Sequence, residues 1–205
     1  MEKENQELSL PQPKSPSSKE IFETKVTEKP KFKPNICKLL TYNIFMRPPP
    51  INTNGNDYKN DRLEFIIEEI QKFDIVNFQE IFSRFTTRKT RLIKAAKKQG
   101  FHYTCRPPGP PCCSLYAIDS GLLTISKKKV TASSFRPFKA SCGIDGVAYK
   151  GVHFNRMIID GVIVNVMNVH MQATYCFDYQ KKYHKYINAL MDQISELPAI
   201  KNSFL

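Results

Sequence analysis

Tryptophan is absent from the 205 residues, and only 8 are glycine. No apolar run approaches the ~18 residues needed to span a bilayer. Met1 to Ser18 is polar and holds no apolar core of the kind a secretory signal carries. These absences predict a cytoplasmic chain with no signal peptide or transmembrane segment, one that meets a membrane only peripherally. The six cysteines, at 37, 105, 112, 113, 142 and 176, make no Cys-x-x-Cys pair, which argues against a zinc knuckle. Without a signal peptide, a disulfide framework is not expected either. Cys112-Cys113 reads as two free thiols in a Pro-rich loop, with lipidation as the alternative. Acid is also in short supply. Nineteen Asp and Glu face 31 Lys and Arg, a net charge of +12. Such a balance suits an acidic partner, whether nucleic acid, a phosphorylated ligand or an anionic membrane, and no stable protein partner is inferred.

What is present is enough to build a core, since 41% of the residues are apolar. Residues 1–34 stand apart. They hold five prolines, no glycine, seven Lys and six Glu, so they carry +1 of the charge and read as a disordered tail. The body, 35–205, carries +11. Within it Ile36 to Ile44 is a strand candidate that includes Asn43, followed by the apolar loop Ile44 to Ile51, with Arg47 and three prolines. That loop is expected to pack on its own domain, with a membrane-touching role as the alternative. Apolar residues at 63, 66, 67, 70 and 73 predict an amphipathic helix over Asp61 to Phe73. Asp74 to Glu80 reads as a buried strand, Lys89 to Gln99 as a basic helix closed by Gly100, and Phe101 to Cys105 and Gly121 to Ser126 as further strands. Asp160-Gly161, between the apolar runs 147–156 and 162–170, is a two-residue hairpin signal. Asp178 to Leu197 is predicted helical, stopped by Pro198. The order implies an α/β layered domain.

Asn43, Glu80 and His170 each lie at the end of a predicted strand, where α/β folds commonly place reacting groups. Taken singly, a strand-end Glu is usually a solvated acid and a strand-end His a structural one. The surroundings change that balance. LLTYNI (39–44), RLEFIIEEIQKFDIVNFQEIF (62–82), SGLLTISKKKV (120–130) and VNVMNVHMQA (164–173) resemble, in order, the motifs of the exonuclease–endonuclease–phosphatase superfamily. The match looks closest to the neutral sphingomyelinases, in His170-Met-Gln-Ala and in Asp145 followed by Lys150-Gly151.

The resemblance implies the N-terminal part of a four-layer α/β/β/α sandwich, with the C-terminal half missing. It implies a Mg²⁺-dependent phosphodiesterase that converts sphingomyelin, or another phospholipid at a membrane surface, to ceramide and phosphocholine. Glu80 would be the metal ligand and Asn43 would orient it. His170 would stabilise charge or donate a proton, given a pKa near working pH. Lys150 would meet the substrate phosphate or take part in a loop switch, paired with Asp145. The resemblance also implies a later strand ending in Asp-x-Asn and a closing Asp-His pair. The first does not occur after His170, and the second occurs nowhere in the chain, so this chain is expected to lack turnover. With the second sheet largely missing, the strands 36–44, 74–80 and 121–126, read as apolar on both faces, are expected to lie exposed. Another superfamily phosphodiesterase or nuclease is the alternative, and so is a non-catalytic remnant binding anionic lipid or nucleic acid. Cys142 and Cys176 would pair only in an oxidising setting.

Overall fold

A computed structural model describes residues 36–51, 57–173 and 182–202. The tail read over 1–34 lies outside them, as does the start of the C-terminal helix. The first sheet is built from Leu39–Met46 (β1), Ile75–Ile81 (β2), Tyr103–Cys105 (β3) and Leu123–Ser126 (β4), in the order β1-β2-β4-β3. Only the β1–β2 pair is parallel, and its crossover is helix Lys59–Glu69 (α1), tightened into a 3-10 turn at Ile70–Lys72. The second sheet is antiparallel, with Lys129–Pro137 (β5), Gly151–Ile159 (β6) and Val162–Val169 (β7) in chain order. Asp160 and Gly161 both take positive φ and close the β6–β7 hairpin, as their sequence predicts.

Period-two alternation sorts β2 into two faces. Val76 and Phe78 point to the helices and join Leu63, Ile66, Leu92, Phe101, Leu123 and Ile125 in the main core. The helix Arg88–Lys98 (α2) completes that layer, and Gly100 at φ 87 ends it, with Phe101 N–H bonded back to Ala96. Ile75 turns the other way and meets Met157 and Val166 of the second sheet.

The inter-sheet face differs from the apolar one expected. Asn77, Gln79, Thr124, Asn155 and Asn168 are all buried there. Asn168 Nδ2 donates to the carbonyls of Phe78 (3.0 Å) and Leu123 (3.1 Å), and its Oδ1 accepts from Gln79 Nε2 at 2.7 Å. Thr124 Oγ1 donates to Asn77 Oδ1 at 2.8 Å. The sheets are thus sewn together by hydrogen bonds, with a small apolar patch at one end. β2 and β4 are covered, whereas Leu39 and Tyr42 of β1, and Ile36 ahead of it, lie exposed as expected.

The helix Lys182–Asn202 (α3) runs on through Pro198, where the sequence had suggested a stop. Proline removes one N–H donor, and the helix tolerates that loss close to its end. Gln193, buried, fixes α3 to the body by accepting from Gln172 N–H at 2.7 Å and donating to Ala140 O at 2.8 Å. β5 is the strand that sequence reading missed, because seven of its nine residues are exposed and show no apolar alternation.

Candidate active site

β1 ends in a bulge between Asn43 and Met46, with Phe45 at φ 52. Arg62 of α1 holds that end, donating from Nη1 to Ile44 O and from Nη2 to Phe45 O. Ile44, Met46 and Pro48 are buried, so the first part of the loop after Asn43 packs on its own domain, while Pro49, Pro50 and Ile51 are exposed. Asn43 Oδ1 accepts from Phe45 N–H at 3.1 Å, which leaves its amide free to donate to Glu80 Oε1 at 2.8 Å. Glu80 itself sits at φ 58, a left-handed conformation that L-residues adopt at a cost.

His170 follows β7 and places Nε2 3.6 Å from Glu80 Oε1. Its Nδ1 is buried without a hydrogen-bond partner. Burial first, then the nearby Lys150 ammonium, holds its pKa down at about 4, with Asp145 opposing. The imidazole is therefore neutral near neutral pH.

Lys150 is no solvated surface lysine. It is 4% exposed, with Nζ 2.9 Å from Asp145 Oδ2 and 3.0 Å from Met171 O. Burial lowers its pKa, while Asp145 and, more weakly, Glu80 raise it. Asp145 Oδ2 also accepts from Gln172 Nε2 (3.1 Å) and Ala173 N–H (2.7 Å). Gly151 lets this corner close, since a Cβ there would collide with Arg136 O of β5. The structure thus brings Asn43, Glu80 and His170 together and sets the Asp145–Lys150 pair beside His170.

Sequence reading missed two contributors. Gln172 is buried beneath the Asp145 carboxylate, and Arg47 stacks on Phe45 with Nε 4.0 Å from Glu80 Oε2. The His-Met-Gln-Ala phrase contains Gln172, and Arg47 is the one charge in the loop leaving Asn43. Cys142 is buried with its thiol against Lys185 O, and burial raises its pKa. Cys176, read as its conditional partner, lies outside the described residues. Cys112 and Cys113 are exposed free thiols.

No protein-family profile matches the chain. Among curated proteins it is similar to a sphingomyelinase of Dictyostelium discoideum, 24% identical over 234 positions covering 67% of this chain and 51% of that protein. It is also similar to sphingomyelinase C of Leptospira interrogans, 26% identical over 148 positions covering 66% of this chain and 26% of that one. Sphingomyelinase C from Streptomyces griseocarneus superposes with a TM-score of 0.68 at 21% identity, covering 82% of this chain and 59% of its own. The chain is thus similar to sphingomyelinases in sequence and in fold. Beta toxin from Staphylococcus aureus shares the fold as well, with a TM-score of 0.65 at 24% identity over 80% of this chain and 61% of its own. The resemblance to sphingomyelinases stands in sequence, and the fold is that of the solved ones. The chain spans about half the length of the Dictyostelium relative.

No three His, Cys, Asp or Glu side chains among the described residues gather into a metal centre. Glu80 offers one hard carboxylate, steadied by the Asn43 amide. That set suits Mg²⁺, which keeps several waters and asks for only one or two protein carboxylates. It does not suit zinc, which takes four ligands rich in Cys and His. No helix among the described residues is long and apolar enough to cross a membrane.

Proposed function

We propose that this chain forms the metal-holding part of a phosphodiesterase site for choline-phosphate lipids, cleaving sphingomyelin to ceramide and phosphocholine at a membrane surface. One observation carries the reading: Asn43, Glu80 and His170, from the ends of three separate strands, converge within hydrogen-bonding or ion-pairing reach. Glu80 would hold Mg²⁺, which when bound polarises a phosphoryl oxygen and acidifies water. Asn43 fixes the carboxylate's orientation. Neutral His170 presents a hydrogen bond to an oxygen at the site, and Lys150 supplies a buried positive field that favours an arriving phosphate. The named sphingomyelinase relatives support the lipid class, and a beta toxin structure with bound magnesium ions supports the metal.

One carboxylate and a neutral imidazole do not complete a water-activating set. Groups that act as a unit lose nearly all their rate when some are missing. We therefore infer that residues 1–205 alone bind Mg²⁺ without turnover. Calorimetric titration should show Mg²⁺ binding that Glu80→Gln abolishes, while the melting temperature stays unchanged. With millimolar Mg²⁺ and sphingomyelin vesicles, phosphocholine release should not exceed that of the Glu80→Gln control. Mg²⁺ binding that survives Glu80→Gln counts against the site. Nicking of single-stranded or abasic DNA that depends on Glu80 moves the reading to a nuclease.

A further inference from the structure

A cavity of about 670 Å³ is lined by Ser83, Arg84, Lys89, Arg106, Asp119 and a proline-rich wall, and by none of the five residues assigned above. We propose that it is a binding site for a phosphate dianion, either free or as the monoester headgroup of a lipid.

The case rests on charge and on what its acid is doing. Lys89, in the first turn of α2, is only 6% exposed. Its nearest anionic atom is Asp119 Oδ1 at 3.8 Å, beyond hydrogen-bonding distance. Asp119 is already committed: Oδ2 accepts from Ser83 N–H at 2.9 Å and Oδ1 from Gly121 N–H at 2.7 Å. Its carboxylate clamps two loops, and it is the one acid among the residues that line the cavity. Arg84 donates to Ala117 O, which holds its guanidinium at the rim. Arg106 closes the ring of cations. It is exposed and stands directly before Pro107-Pro108, whose fixed φ makes that wall stiff.

Three cations therefore share one carboxylate. A buried ammonium ion without a close partner costs stability, and an arriving anion removes the cost. Burial first depresses the Lys89 pKa, Asp119 opposes that, and Arg106 adds to the depression. Two negative charges balance the surplus, and the oxygens of a phosphate suit two guanidinium forks better than a lone carboxylate does. Arg106 also borders a neighbouring groove with Lys94 and Lys97, which extends the positive field that would steer the anion inward.

The test is calorimetric titration of inorganic phosphate into the full chain without divalent metal, at matched chloride ionic strength. The wild type should bind. Lys89→Met and Arg106→Gln should each weaken binding at least tenfold. Lys98→Gln removes the same charge from an exposed position on the same helix and should change affinity less than twofold. Because Arg106 is exposed, its variant keeps the test sound if Lys89→Met fails to fold. Glu80→Gln should bind as the wild type does, which separates this site from the phosphodiesterase reading. Phosphatidylcholine vesicles with and without phosphatidic acid distinguish the source. Arg106-dependent capture only with phosphatidic acid assigns a lipid headgroup, and phosphate binding without such capture assigns the free anion. No phosphate binding, or equal weakening by Lys98→Gln and Arg106→Gln, would overturn the proposal.

Discussion

Glu80 reaches its place on a strained backbone, and Gly121 is what accommodates it. At φ 67, a Cβ on Gly121 would stand 2.8 Å from the Phe82 ring and 3.2 Å from Glu80 Cα. Gly121→Ala should therefore cost ~1–3 kcal/mol in denaturant unfolding and weaken Mg²⁺ binding by moving Glu80. A midpoint and affinity both unchanged would show that the start of β4 yields freely. His153 makes a different kind of prediction. It is buried, with Nε2 3.0 Å from Ser133 Oγ and Nδ1 unpartnered. Burial, then Lys89, lowers its pKa to about 4 from an ordinary 6.5. His170 is lowered likewise. Between those values the unfolded chain binds protons that the folded chain refuses. Stability is thus full above pH ~6.5 and is lost as pH falls through about 4. His153→Gln should flatten that acid limb by close to one proton in a stability-against-pH series. An unchanged slope would mean the ring titrates normally.

At the scale of elements, β7 matters most for its single buried amide. Asn168→Ala strips donors from two carbonyls and the acceptor from Gln79, and leaves those groups buried. It should cost ~2–4 kcal/mol. A loss below ~1 kcal/mol would mean that water or neighbours replace the amide. The same strand explains what could be read in advance. Asn43, Glu80 and His170 were legible because strand ends and short motifs lie in contiguous residues. The hairpin was legible from Asp160-Gly161. β5 was not, because an edge strand exposed on both faces has no pattern to show. The polar character of the inter-sheet layer was written in Asn77, Gln79 and Thr124. Hydrophobic counting passed over them because their partners, Asn155 and Asn168, lie far away in sequence. Asp145 with Lys150 was legible only through resemblance, since no local signal marks a lysine for burial.

For the whole molecule, the sandwich has unequal halves. The helix-facing core is broad and apolar, and the sheet-to-sheet layer is mostly amide and hydroxyl. Those two kinds of burial differ in how they respond to temperature. Exposing apolar surface raises heat capacity by ~0.45 cal/K/mol per Å², whereas exposing polar surface lowers it by ~0.26. Unfolding this domain should therefore give a heat-capacity increment per structured residue below the usual ~12–15 cal/mol/K, as scanning calorimetry would measure. An increment at or above that range would mean that the apolar helix layer outweighs the polar seam. A small increment flattens the curve of stability against temperature. Stability would then change less on cooling than it does in a domain whose sheets are joined by aliphatic side chains, so the Asn168 seam would favour tolerance to cold.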